Sequence, residues 1–301
     1  MNDTEQMQVI PLRCFILLAG TILGLSLIAL IINHFYYQFP GNNYFPPNTS
    51  IIACIILLNY IGLILVFGKN NRLTRSNLEL INIFVVMSII ALATNAVQLT
   101  PFAPIDKQII KLEEQLGINM VAILEWTNKH PYFKYLLSII YDTLTYQMSI
   151  IPLCVIISGR FHILKDYYFL LLSTTLLGFT YYYFFPTTAP ASEIHSSLFF
   201  PEQIATGFKF HQIHNHIQPT TIEGGLIALP SFHSIWAMLC VYLIKDWFIP
   251  CMILAIINVL LMASCVLLGW HYPIDILAAL ALIALCYYFL TLIKVENDNL
   301  K

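Results

Sequence analysis

Charge is scarce in this sequence. Of its 301 residues only 10% are Asp, Glu, Lys or Arg, while 58% are Ala, Val, Ile, Leu, Met, Phe, Trp, Tyr or Cys. Soluble domains carry about 25% charged residues, so this chain has too few solvated side chains to cover a water-facing surface. A soluble globular protein is excluded. A polytopic membrane protein, whose lipid-facing surface needs no charge, remains. A basic field is missing as well: 14 Lys and Arg stand against 16 Asp and Glu, without the clustered cations on which nucleic-acid binding rests. No nucleic-acid partner is expected. Paired cysteines are also absent. Each of the seven Cys lies alone in an apolar run with no CxxC spacing, which argues against a zinc or redox couple and reads them as small buried hydrophobes.

What is present is a series of apolar runs long enough to cross a bilayer, which takes about 20 residues each. Eight are expected, at approximately 12–33, 50–68, 78–100, 132–157, 167–185, 229–247, 248–269 and 273–293. The first run exceeds a signal-peptide core and leads into Asn33-His34-Phe35 instead of a small-residue cleavage site, so it reads as a retained helix. Of fifteen prolines only Pro152 falls well inside a run, as expected if the runs are helices. The expected fold is all-α, a polytopic membrane helical bundle of about eight transmembrane helices. Residues 1–77 form two N-terminal helices and residues 78–301 a six-helix core.

Eight crossings put both termini on one side. That side carries Arg13, Lys69, Arg72, Arg75, Arg160, Lys165, Lys245, Lys294 and Lys301, against Lys107, Lys111, Lys129, Lys134 and Lys209 on the other. The excess of cations, with every Arg included, makes the terminal side cytoplasmic. The long connections 101–131 and 186–228 then face outward. Within the first, Ile105, Ile109, Leu112 and Leu116 recur at helical spacing opposite Lys107, Lys111, Glu113 and Glu114, the pattern of a helix lying in the membrane interface. His211-x2-His214-x-His216 in the second lacks an accompanying Cys or paired carboxylate. It reads as a solvated loop and not a metal site.

Ionisable groups at membrane depth are costly and mark function. Away from the span ends these are Asp142, His233, His271 and Asp275, and the last three gather at one membrane face. Pro230 is expected at the first helical position of the sixth span, with Ser231 and the free N–H groups of that turn forming a phosphate cradle. His271 and Asp275 stand at i and i+4, so the carboxylate can hold one imidazole nitrogen and free the other as a nucleophile or base. Two histidines, one backed by Asp, beside a helix N-terminus suit phosphoryl transfer through a phosphohistidine.

Ala228-Leu229-Pro230-Ser231-Phe232-His233 and Gly269-Trp270-His271-Tyr272-Pro273-Ile274-Asp275 resemble the second and third motifs of the type 2 phosphatidic acid phosphatase superfamily. His-Tyr-x-x-Asp looks more narrowly like the inositol phosphorylceramide synthase branch. Phe185-Pro186-Thr187-Thr188-Ala189-Pro190, the stretch Thr100 to Asp106, and Tyr141-Asp142-x3-Tyr146-Gln147 resemble further elements of that branch. The resemblance covers about residues 95–290. It implies a lipid phosphatase or phosphotransferase needing no metal and no cofactor, with a phospholipid or lipid phosphate as partner in the bilayer. His271 would be the nucleophile, Asp275 its orienting partner and His233 the acid for the leaving group. Ser231, Asp142 and Tyr272 are the candidate substrate contacts.

The chain departs from the superfamily pattern in three ways. Ser264-Cys265 replaces the motif Ser-Arg, Phe232 replaces a small residue, and no upstream Lys/Arg-Pro motif is present. Fewer fixed cations suit a phosphodiester better than a phosphomonoester. The expected location is a bacterial inner (cell) membrane with termini cytoplasmic and the site facing outward. The competing class is a non-catalytic lipid-binding or transporter membrane protein.

Overall fold

The computed structural model describes residues 10–299, and Lys301 lies outside them. The described chain is helical throughout. In order it runs α1 (Leu12–Ile32), α2 (Thr49–Phe67), α3 (Arg72–Val97), α4 (Asp106–Gln115), α5 (Met120–Asn128), α6 (Pro131–Ser158), α7 (Phe161–Phe184), α8 (Pro190–Glu193), α9 (Pro201–His214), α10 (Phe232–Leu243), α11 (Phe248–Leu267) and α12 (Pro273–Asn299). Each of the eight expected spans falls on a helix.

Among the described residues six helices, α1, α2, α3, α6, α11 and α12, are long and apolar enough to cross a membrane. The other two of the expected eight differ. α7 runs 24 residues but is largely buried, with Tyr167, Leu171, Thr174 and Tyr182 sealed inside the protein. It is the central post of the bundle. α10 has only 12 residues, about 18 Å at 1.5 Å per residue. It starts later than the proline pattern suggested, because Ser231 is its N-cap and accepts a hydrogen bond from the N–H of Ser234 at 3.3 Å. Pro230 therefore stands outside the helix.

The core runs from α1 through α3, α7, α10 and α12 as one apolar cluster that includes Ile22, Ile90, Leu171, Ile235 and Ile283. At the end carrying the termini, buried Asp166 accepts hydrogen bonds from Lys294 Nζ at 2.6 Å and the Tyr242 hydroxyl at 2.7 Å. That network ties α7, α10 and α12 together. Of the seven cysteines, all free, Cys240, Cys265 and Cys286 are buried while Cys54 and Cys154 are exposed. The expectation of uniform burial is thus corrected. A thiol on a lipid-facing surface incurs no desolvation cost.

At the opposite end the long connections fold into the short helices α4, α5, α8 and α9. On α4 Asp106, Ile109 and Glu113 are buried against the protein, whereas Leu112 is 41% and Leu116 67% exposed on its outer surface. The two carboxylates turn inward because each has a donor waiting. Asp106 accepts from the Thr188 N–H at 2.8 Å and the Thr188 hydroxyl at 3.1 Å, and Glu113 accepts the Ile274 N–H at 3.1 Å in the first turn of α12. A carboxylate at a helix N-terminus is favoured by the dipole as well.

The His211-His214-His216 stretch is only partly a solvated loop. His211 and His214 lie in the last turn of α9 and His216 just beyond it, and His211 and His216 are exposed, but His214 sits between the carbonyls of Phe210 at 2.9 Å and Thr100 at 3.0 Å, and Phe39 packs on His214 and His216.

Candidate active site

The site is assembled where α10, α12 and the loop 222–230 meet. α11 ends at Gly269, whose φ of +85° is easily adopted only by glycine. A Cβ there would stand 2.7 Å from the Phe199 ring and 2.8 Å from Leu124. The turn delivers His271, the next residue but one, into a cavity of about 290 Å³ that also touches Tyr141, Phe179, Ala228, His233 and Trp270.

His271 Nδ1 lies 3.0 Å from the Ala228 carbonyl oxygen and 3.2 Å from Asp275 Oδ2. Both partners are acceptors, so Nδ1 carries the hydrogen and donates it. Nε2 keeps a free lone pair. Burial lowers the histidine below its ordinary range to about 4, partly offset by the Ala228 carbonyl, so the ring is neutral at pH 7. Asp275 Oδ2 also accepts the Tyr272 N–H at 2.9 Å, and the Asp275 carbonyl accepts the Ser231 N–H at 3.1 Å. The starts of α10 and α12 are thereby held together.

His233, in the first turn of α10, faces His271 with ring centroids 5.8 Å apart. Its ring is the outer layer of a three-ring stack. Tyr141 lies against it at 4.7 Å and against Trp270 at 5.0 Å, both nearly parallel. The sequence reading did not single out Tyr141 or Trp270 as functional. The only signal available was their place beside Asp142 and His271. Phe232, the departure from the superfamily's small residue, is accommodated by Gly178, where a Cβ would stand 2.7 Å from Phe232 Cζ and 3.3 Å from Pro230 Cγ. The two positions fit as a pair. Gly178→Ala is expected to lower Tm by several degrees, since overpacking costs about 1–3 kcal/mol. Phe232→Ala in the same chain should recover most of that loss in a double-mutant cycle of thermal melts.

His233 borders a second cavity of about 550 Å³, shared with Tyr141 and Trp270 and lined by Asp142, Glu202 and Glu223. Asp142 therefore joins the site. Ser231 and Tyr272 do not reach either wall. The Ser231 hydroxyl is occupied as the α10 cap, and the fully buried Tyr272 hydroxyl points toward Asp106. No Lys or Arg lines either cavity. Of the lysines at this end, Lys107 is 80% exposed and paired with Glu193, Lys111 is exposed, and Lys134 Nζ stands 4.8 Å from the ring centroid of Phe200, which lines the second cavity. Lys209 is buried one layer behind the loop, its Nζ donating to the carbonyls of Ile222 at 3.3 Å and Gly224 at 3.4 Å. Burial lowers its ammonium to about 8, which leaves it charged at neutral pH. Among the described residues no group of three or more His, Cys, Asp or Glu is placed to hold a metal ion.

The Pro186 to Ala189 stretch braces the site from behind. Pro186 accepts the Ile105 N–H, Thr188 holds Asp106, and the Thr187 hydroxyl accepts the Leu229 N–H at 2.8 Å. Ala189 sits at φ +73° on the first cavity's wall, a conformation that non-glycine residues keep only where the surroundings impose it. Burial, with a smaller push from Asp275, raises Asp106 from 3.8 to about 6, against the lowering effect of its bonds to Thr188. A raised carboxylate binds its proton more tightly when folded. It therefore destabilises the fold progressively as pH climbs from about 4 to 6, and fully above that. Asp106→Asn lacks this penalty. The Tm of the Asn variant, measured relative to the parent in the same detergent, is expected to rise by about 5 °C between pH 4 and pH 7.

A bundle of apolar helices carrying a buried His-Asp pair and a second histidine across one cavity defines a polytopic membrane protein with a histidine-lined site. The profile of the PAP2 superfamily matches residues 107–289, well over half of the chain, and the protein belongs to that superfamily, a group of lipid phosphatases and phosphotransferases. No curated protein and no solved structure matches the chain.

Proposed function

We propose that the protein is an integral membrane enzyme that transfers a phosphoryl or phospho-head group from a lipid to water or an alcohol, through a covalent intermediate on His271 and without a metal. The observation that carries this reading is the imidazole held by two acceptors at Nδ1, its Nε2 lone pair free and a second histidine 5.8 Å away across the cavity. In the first step Nε2 attacks phosphorus, the bond from phosphorus to the leaving oxygen breaks, and His233 gives that oxygen a proton. In the second, His233 takes the proton of an incoming water or alcohol whose oxygen attacks phosphorus. The P–N bond breaks and its electron pair returns to Nε2. Asp275 balances the positive charge of the phosphorylated ring. The residues 78–301 supply all of these groups.

The second cavity favours head-group transfer of the inositol phosphorylceramide synthase type, with a sphingolipid acceptor or product. Its wall carries three carboxylates and no cation. A phosphodiester brings one negative charge where a phosphomonoester brings nearly two, so it meets less repulsion, and carboxylates accept hydrogen bonds from a hydroxyl-rich head group. Asp142 is the substrate contact in this reading. The α10 N-terminus and the Lys209 ammonium supply the positive field. The excess of Arg and Lys at the terminal end supports cytoplasmic termini and an outward-facing site in a bacterial cell membrane.

Incubating the purified protein with labelled phosphatidic acid or phosphatidylinositol, with and without ceramide or diacylglycerol, tests the reading by product mass. A new phosphodiester identifies a transferase and free phosphate a phosphatase. Absence of both overturns the proposal, and movement of unaltered lipid across liposomes identifies a transporter.

A further inference from the structure

A third cavity, of about 330 Å³, opens between α1, α3 and α7, and its wall is almost wholly apolar. The space exists because small residues line it where the helices approach, Ala29 on α1 with Ala93 and Ala96 on α3. Along α7 it extends from Thr175 to Phe184, nine residues or about 14 Å. That is half the roughly 30 Å hydrocarbon thickness of a bilayer, the depth of one leaflet. The volume falls in the range of built ligand sites, about 300–1,000 Å³.

This groove adjoins the histidine cavity, with Phe179 as the wall between them. The Phe179 ring packs edge-on against Phe232 at 4.9 Å, the residue beside His233. A molecule with its phosphorus at His271 and a hydrocarbon tail passing Phe179 fits the two spaces together. Most of α1 faces outward, but Ile22, Ser26 and Ala29 form a buried stripe at helical spacing that walls the groove. α1 and α3 both lie outside residues 107–289, the segment matched by the superfamily.

We infer that the α1–α3–α7 groove holds one acyl chain of the lipid whose phosphate is at His271, with Phe179 at the junction, so that α1 selects lipids with a tail of one-leaflet length. The inference rests on the proposed lipid chemistry for its activity test but not for its binding test. The occupant is a substrate tail and not a bulk lipid, because the groove adjoins the histidine cavity.

The full-length protein is photolabelled with a phosphatidic acid carrying a diazirine near the end of one oleoyl-length chain, and labelled peptides are mapped by mass spectrometry. Label is expected on α1 between Ile22 and Ile32 and on α7, with at least a tenfold loss on competition by unlabelled dioleoyl phosphatidic acid. Ala29→Phe should remove it. Leu25→Trp, at a position 45% exposed that also lines the groove, gives a second variant that disturbs no packed core. In parallel, kcat/KM is measured for dioleoyl and dihexanoyl phosphatidic acid. The ratio of long-chain to short-chain values should fall at least tenfold in both variants through KM, and should stay at the parent value in Leu58→Trp on the far helix α2.

Label confined to other helices overturns the inference. So does equal labelling by a diazirine phosphatidylcholine that phosphatidic acid fails to displace, which marks a bulk-lipid seat, or an equal loss on both chain lengths. If the parent turns over neither phosphatidic acid yet labels the groove competitively, phosphomonoester hydrolysis fails and the tail site stands.

Discussion

His271→Ala is expected to reduce turnover by at least about 10³-fold, the scale on which loss of a covalent nucleophile registers. The reason is local. Ala228 and Asp275 between them occupy Nδ1, and Nε2 is the nucleophilic atom that remains. In a single-turnover experiment with substrate labelled at phosphorus and quenched in alkali, where a phosphohistidine survives, the parent protein should retain label and the Ala variant none. Retained label in His271→Ala would place the covalent bond elsewhere and sink the mechanism. Because His271 is buried at the end of α11, thermal melts must accompany the assay. His271→Gln keeps most of the volume and should fold with a Tm near the parent's while still losing the label.

Asp275→Asn is expected to lower kcat by about 10²–10⁴-fold with little change in KM. The present Asp275 Oδ2 accepts from two donors, His271 Nδ1–H and the Tyr272 N–H. An asparagine whose carbonyl oxygen takes the place of Oδ2 still accepts both hydrogens and keeps the tautomer, but it lacks the negative charge that steadies the ring once Nε2 has attacked and the imidazole is cationic. A kcat loss that spares KM distinguishes a disabled nucleophile from a collapsed pocket, since loss of shape would weaken binding as well. An Asn variant with parental kcat would mean that the charge of Asp275 plays no part in the reaction.

Much of this was legible along the chain. Scarcity of charge excluded a soluble fold, and the apolar runs marked helices at all eight expected positions because each helix must satisfy its own backbone in lipid. The His271-Asp275 spacing of four predicted a contact that the helix start provides. Other features were not legible. Nothing in the spacing of α4 showed that Asp106 and Glu113 would be buried. Their donors come from Thr188 and Ile274, residues 82 and 161 positions away. Ser231 and Tyr272, next to the histidines in sequence, turn their hydroxyls away from the cavity. The stack of His233, Tyr141 and Trp270 joins the start of α10, the interior of α6 and the turn after α11, which no periodicity connects.

The sequence by itself determined the membrane, the helices, the two-histidine motif and the shortage of cations. These follow from composition and from spacings within one helix turn, where geometry is local. Tertiary structure alone decided that His233 faces two cavities, one of them lined by three carboxylates, that Gly178 makes room for Phe232, and that α1 walls a groove beside the site. Those depend on which side chains meet across helices packed from distant parts of the chain, and close packing leaves that choice to shape.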